Sequence, residues 1–338
     1  MKSTKVLIAT FLVVAVGLVS AVSLADKMAT QYKANLDQDV CKAMTRAADF
    51  LVKAQKPSEN GVVGWSWVVG DGPVSGNVAG LAGLALIDAH QTSGKAEYLA
   101  AAKKYADGLV KNKTKWSNKN LPYKADIEFL MRMSTSIKNA GYQEAAKSAF
   151  GVIQAKSPKG ENEVNRILEG RKKPHLLGFD VALAIRAAAA VSERRYAYQL
   201  ADEVIRLTPK WYQPKQDPRF SLVSSAALVQ ALRTLDAGHY RKTIDRLQAD
   251  LVTHQQENGS WLANETQPSA YAILALADGN PKEQAAYQRG IEWLKSTMLS
   301  KGAFASYNDH MPEPFVGKVI SEVHAEALSA LSKACTLK

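Results

Sequence analysis

Four residues have the types and spacing that could break a covalent bond: Asp126, Asp180, Tyr307 and His310. Asp126 and Asp180 open equivalent segments of two successive repeats. Hydrolysis of a glycosidic bond needs two carboxyls about 5 to 9 Å apart, one of them kept protonated by burial. Tyr307 and His310 stand in the run Ser306–His310, the densest set of polar reactive types in the chain. With a cation on a uronate carboxylate, they would supply the base or acid of an elimination. Lys124, Arg219 and His175 are the candidates for that cation, and Trp67, Trp116, Tyr123, Trp211 and Trp261 are the candidates to stack on sugar rings. Each has a structural alternative. Asp and Ser at helix starts are capping types, Asn and Asp around 306–310 are turn formers, and Trp65 and Trp261 could simply plug their loops.

The elements that must position these residues repeat along the chain, roughly every 40 to 60 residues. Each unit opens with an amphipathic helical segment, over 43–55, 98–111, 142–156, 196–207, 240–254 and 283–299. After a loop, each continues with a far more apolar, Ala-rich helix, over 78–89, 127–136, 181–191, 222–235, 270–277 and 323–334. Helices apolar on nearly every side must be enclosed. Curling six hairpins into a ring puts the dry helices inside and the half-wet ones outside, so the expected fold is all-α, an α/α toroid; a two-domain α-solenoid is the fallback. The inner helices open with Asn77, Asp126, Asp180, Ser221, Ser269 and Ser321, all capping types. Their N-termini would converge on the face that carries most of the loop tryptophans and most of the excess positive charge. Glu322 and His324 read as a buried polar pair rather than a metal site, and Glu128 and Arg132 as an ion pair four residues apart.

Residues 1–25 read as a signal peptide: Lys2 and Lys5 precede an uncharged run that ends Ser23, Leu24, Ala25. An uncleaved membrane anchor is the alternative; no membrane role beyond that is expected. Residues 26–338 are then one toroid domain. Removal of the leader takes two lysines from the formal charge of +11. The chain has two cysteines, too few for a disulfide scaffold or a Cys-rich zinc site. Cys41 begins the first helix and Cys335 ends the last. A closed ring would make them neighbours, and an exported protein could join them in a disulfide.

The segment Gln255-Gln256-Glu257-Asn258-Gly259-Ser260-Trp261, followed by the apolar run 268–276, resembles the QW repeat of the terpenoid cyclase and protein prenyltransferase toroids. A looser copy is Phe50, Leu51, Gln55, Asn60, Gly61, Gly64 and Trp65. The resemblance implies the toroid fold. It does not carry over the activities: the Asp-x-Asp-Asp acid of the cyclases is missing, and the two terminal cysteines leave no Asp–Cys–His zinc site. The stretch Lys124–Arg132 also faintly resembles the second unit of pectate-lyase toroids, without their Asn-Gly-Gly-Trp-Pro signature.

No phosphate loop, nucleophile elbow or zinc-protease motif is present, and no cofactor is expected. Basic charge with aromatics suits nucleic acid as well, but the leader and the scattered lysines favour an anionic polysaccharide. The sequence leaves open whether the chain cleaves that polymer, as lyase or hydrolase, or only binds a glycan or protein partner.

Overall fold

The computed structural model describes residues 38–59, 61–113, 123–170, 174–262, 264–306 and 316–336. Six inner helices form a closed circuit: α2 (Gly76–Ser93), α4 (Lys124–Ile137), α7 (Leu177–Ala190), α10 (Pro218–Asp236), α12 (Thr266–Leu276) and α14 (Ser321–Thr336). Each packs on the next, and α14 packs back on α2. Around them stand α1 (38–53), α3 (Ala96–Lys111), α5 (Ala140–Lys156), α8 (Arg194–Arg206), α11 (Arg241–Thr253) and α13 (Pro281–Ser296). Composition sorts the two layers. Eleven of the fourteen residues of α7 are buried, whereas α8 buries only Tyr196, Ala197, Leu200, Ala201 and Val204, a stripe at helical spacing.

Two further helices, α6 (Gly160–Glu169) and the one-turn α9 (Thr208–Trp211), lie in stretches that read as loops, and a two-residue hairpin pairs β1 (Lys56–Pro57) with β2 (Val63–Gly64). The inner helices also start earlier than expected. Their N-caps include Ser75, Tyr123, Leu176, Asp217 and Glu265, so the presumed caps fall inside the first turn. There the serines reach back to the preceding loop: Ser221 Oγ accepts from the Gln213 N–H and Ser269 Oγ from the Trp261 N–H, both at 3.0 Å.

Buried tryptophans fasten the loops to the ring. The indole N–H groups of Trp65, Trp211 and Trp261 donate to the carbonyls of Leu51, Val204 and Leu251, near the C-terminal ends of their outer helices, at 2.8–2.9 Å. In the sixth unit Phe304, fully buried, stands two residues after Gly302, as Trp261 stands two after Gly259. Both glycines have positive φ, +91° and +86°, and a Cβ on either would lie within 2.4–2.6 Å of a backbone oxygen, of Arg289 or of Arg46. The glutamines of the repeat stitch neighbouring outer helices: Gln55 donates to the Ala101 carbonyl and Gln255 to that of Ala286, both at 2.8 Å. The tyrosines that open outer helices do the same by donating to an aspartate of the preceding one, Tyr98 to Asp49 and Tyr240 to Asp202.

The circuit is sealed by a Cys41–Cys335 disulfide between α1 and α14. His324 reinforces the seam. Its Nε2–H donates to the Ala47 carbonyl and its Nδ1 accepts from the Phe304 N–H, and burial pushes its pKa down to about 4. It does not pair with Glu322, because residues two apart on a helix point about 200° apart. Glu128 and Arg132 do not pair either. Glu128 bonds Arg186 on α7 and Arg132 bonds Asp88 on α2, so both bridges cross between inner helices.

Two stability measurements follow. Gly259→Ala should lower stability by more than about 1 kcal/mol in chemical denaturation, from backbone strain plus the clash; an unchanged midpoint would contradict the turn geometry. The double variant Cys41→Ser/Cys335→Ser should lose about 2–4 kcal/mol, and reductant should then have no further effect on its melting.

Candidate functional site

A cavity of about 300 Å³ opens where the inner helices begin. Its rim and walls are largely aromatic and aliphatic: Trp67, Tyr123, Phe179 and Phe220, with Leu176, Val223, Ile320 and Val323. Three polar side chains, Arg219, Gln267 and Glu322, complete the lining. Trp67 is 38% exposed, which is unusual here for so large an apolar side chain. Its loop is clamped to the entry of α14, since the Ser321 N–H donates to the Trp67 carbonyl at 3.0 Å and Ser321 Oγ to the Ser66 carbonyl at 2.7 Å.

The chemistry centres on carboxyls that helix geometry aims inward. Glu322 is the second residue of α14 and Asp180 the fourth of α7, diametrically opposed helices in the circuit. They are 7% and 5% exposed. Burial, then the charge of Asp180, raises the Glu322 pKa to about 7, with Arg219 opposing. One turn deeper, Glu326 accepts from Gln267 Nε2 at 3.4 Å and lies beside Tyr271; burial and the neighbouring Glu322 hold its carboxyl well above the ordinary range. This is the pattern of buried acids kept protonated near neutral pH.

Both described cations near the cavity are already engaged. Arg219 forms an ion pair with Glu265 at 3.0 Å and lies over the ring of Phe220. Lys124 pairs at 3.5 Å with Glu163, which also receives two hydrogen bonds from Arg166. Burial lowers the Lys124 pKa, while the charges of Glu163 and then Asp180 support its ammonium. Lys115, Lys119 and Arg171–Lys173, which carry much of the basic excess expected of this face, lie outside the described residues.

Of the residues singled out in the sequence, Trp67, Tyr123 and Arg219 line the cavity, and Asp180 and Lys124 lie within electrostatic reach of it. Asp126 does not line it. It is the third residue of α4, one short of the register of Asp180, and that single residue turns its side chain by about 100°. Fully buried, it closes a capping box with the Tyr123 N–H at 2.7 Å and accepts from the Tyr105 hydroxyl at 2.9 Å. Trp211 and Trp261 are fully buried loop plugs and offer no face to a ligand. His175 places Nδ1 3.3 Å from the Trp211 carbonyl, in the same plug. Trp116, Tyr307 and His310 lie outside the described residues. Sequence reasoning missed Glu322 as a cavity residue, along with Glu326, Gln267, Tyr271, Glu163 and Glu265. The signal was available: two acids four apart in one of the driest helices, α14.

The ring is an α/α toroid. No protein-family model matches the chain, and no curated protein does. Solved structures do. A possible member of the GH105 family from Klebsiella pneumoniae aligns over 88% of this chain and 93% of its own, with TM-score 0.64 and 11% identity. An inactive variant of the α-1,6-mannanase GH76A of Salegentibacter sp. HEL1_6, in complex with α-1,6-mannotriose, aligns over 88% and 100%, with TM-score 0.57 and 11% identity. A variant of the type II terpene cyclase MstE from Scytonema, in complex with its substrate geranylgeranyl dihydroxybenzoate, aligns over 89% and 99%, with TM-score 0.56 and 15% identity. At these identities the likeness concerns the fold.

The burial of Glu322 has a thermodynamic sign. Unfolded, the carboxyl titrates at its ordinary value, and folded at about 7. Between the two the folded chain holds more protons, so stability contributed by the protonated group is complete at low pH and is lost as pH rises through about 7. Glu322→Gln should therefore raise stability by roughly 1–3 kcal/mol at pH 8 and leave it nearly unchanged at pH 4, read by denaturant titration at both values. An equal effect at the two values would place Glu322 in water.

Proposed function

We propose that this chain is an exported glycan-cleaving enzyme, a hydrolase that uses Glu322 and Asp180. The observation that carries the reading is a pair of buried carboxyls from opposite inner helices, one raised to about 7, in and beside a single cavity with an aromatic rim. Glu322 is the general acid, giving its proton to the glycosidic oxygen. Asp180, facing the Lys124 ammonium, is the charged partner that activates water or attacks the anomeric carbon. Trp67 and Tyr123 offer ring faces for stacking.

The glycan-acting proteins among the structural neighbours support this reading. A terpenoid substrate fits less well, because burying Asp180, Glu322 and Glu326 around a hydrocarbon would leave their polar groups unsolvated. An elimination on a uronate needs an available cation, whereas Arg219 and Lys124 are each held by a carboxylate. A neutral glycan therefore suits the described cavity better than the anionic polymer that the net charge suggests. Export rests on the leader-like residues 1–25 and agrees with the disulfide, which persists in oxidising compartments. Among the described residues no helix is long and apolar enough to cross a membrane.

A panel of neutral and acidic oligosaccharides assayed for new reducing ends, and at 235 nm for unsaturated products, tests the activity. Glu322→Gln and Asp180→Asn should each reduce kcat by about 10²–10⁴-fold with the fold retained. The wild-type rate should fall as pH rises through about 7, as the acid loses its proton. Trp67→Ala should raise KM more than it lowers kcat. Full activity in both carboxyl variants would overturn the assignment.

A further inference from the structure

Among the described residues, three polar side chains line the cavity, and two of them are already committed: Arg219 is paired with Glu265, and Glu322 is assigned the proton. The third, Gln267, is neutral and carries both kinds of hydrogen-bonding group, a carbonyl oxygen and an amide nitrogen. It is the second residue of α12, and the first turn of that helix is tied to its surroundings. The Thr266 hydroxyl donates to the Ala305 carbonyl at 2.6 Å, and the Ser269 hydroxyl donates to the Glu265 carbonyl at 2.7 Å while accepting from the Trp261 N–H. Thr266 and Ser269 are fully buried, whereas Gln267, between them in sequence, is only partly so. Its side chain is held as well. Gln267 Nε2 donates to Glu326 Oε1 at 3.4 Å, one turn below Glu322 on α14. Burial and the charge of Glu322 favour the protonated form of Glu326, and a protonated carboxyl offers its carbonyl oxygen to such a donor. With the nitrogen turned to Glu326, the other end of the amide is its carbonyl oxygen, which accepts no hydrogen bond from a described residue.

A glycan unit that presents its glycosidic oxygen to Glu322 enters the same cavity as Gln267. A sugar hydroxyl suits the amide oxygen, because it brings one O–H donor and neither group carries a charge to be desolvated. We infer that Gln267 is a specificity-determining residue, whose carbonyl oxygen accepts from one hydroxyl of the sugar unit held in the cavity and so selects sugars in which that hydroxyl is free. The inference rests on the glycan-cleaving reading and adds the group that reads the sugar. A unit that lacks the hydroxyl would displace water from the amide and return no hydrogen bond, which a site built around such a bond penalises. Gln267 makes and breaks no covalent bond; its contribution is to binding and to the placing of the unit beside Glu322.

The test uses the full chain and the methyl thioglycosides of mannose, glucose, galactose and xylose, which resist hydrolysis, each with its monodeoxy analogues. They are titrated by NMR against wild-type and Gln267→Met protein; methionine is of similar length and lacks both amide groups. Where an oligosaccharide of the activity panel is cleaved, the same comparison is read as kcat/KM on its monodeoxy analogues. For the sugar that the wild type takes best, loss of one particular hydroxyl should weaken binding or lower kcat/KM at least tenfold, about 1.4 kcal/mol. In Gln267→Met the intact sugar should lose a similar factor, and the penalty for that one deoxy position should fall below twofold while the other positions keep theirs. Gln267→Ala is read in the same way if the melting of the methionine variant shows that it is not folded. A wild type indifferent to every hydroxyl, or a penalty that survives in the variant, would overturn the role of Gln267 while leaving glycan cleavage intact. Neither binding of these sugars nor cleavage of any panel member would overturn the proposed function, and the role of Gln267 with it.

Discussion

Water cannot be allowed to reach the inner helices, and that constraint shapes the protein. A helix such as α7, with eleven of its fourteen residues buried, needs cover on every side; two like neighbours and an outer helix provide it. Six such helices satisfy one another only if the last meets the first. The disulfide, the His324 bonds to α1 and the Gly302–Phe304 turn against Arg46 all gather at that meeting point. Elsewhere in the ring the seams rely on packing and repeated hydrogen bonds. A covalent link that joins positions 294 residues apart is therefore placed where the unfolded chain has most freedom to lose.

The same dryness gives the cavity its chemistry. Carboxyls near the start of an inner helix benefit from its N-terminal dipole, yet they sit where solvation is poor. What differs from site to site is what the carboxyl faces. Burial raises the Asp126 pKa to about 7, against its bonds from Tyr105 and the Tyr123 N–H, and its oxygens are spent within a capping box and on Tyr105. Glu322 faces an open cavity with another carboxylate nearby, and its proton is retained to about pH 7. Paired cations hold the surroundings near neutrality: Glu163 keeps Lys124 and Arg166, and Glu265 keeps Arg219. The result is a carboxyl of raised pKa in a pocket whose nearby cations, Lys124 and Arg219, are each paired with a glutamate.

The layered ring was legible in the sequence, because burial on all sides leaves a compositional trace in each Ala-rich helix and half-burial leaves a periodic one. The closing cysteines were legible for the same reason: a ring brings the two ends together. Side-chain direction was not. Asp126 and Asp180 occupy matching places in the repeat but differ by one position within their helices, so one caps and the other approaches the cavity. Trp211 lacks the Gln and Gly that mark Trp261, yet its indole makes the same bond to an outer-helix carbonyl. Phe304 keeps the place of the tryptophan with only the turn glycine to announce it. Helix α6, hidden in a charged stretch read as a loop, supplies the glutamate that fixes Lys124. These features depend on where helices begin and which faces meet, which local composition does not encode.

The central claim is that Glu322 and Asp180 act on each other across one buried site. Carbon-13 NMR titration of the Glu322 side-chain carboxyl tests this without knowledge of the substrate. In the wild-type protein the resonance should titrate near pH 7, and in Asp180→Asn its midpoint should move down as the opposing charge is removed. A midpoint in the ordinary carboxylate range, or one indifferent to the loss of Asp180, would contradict the account.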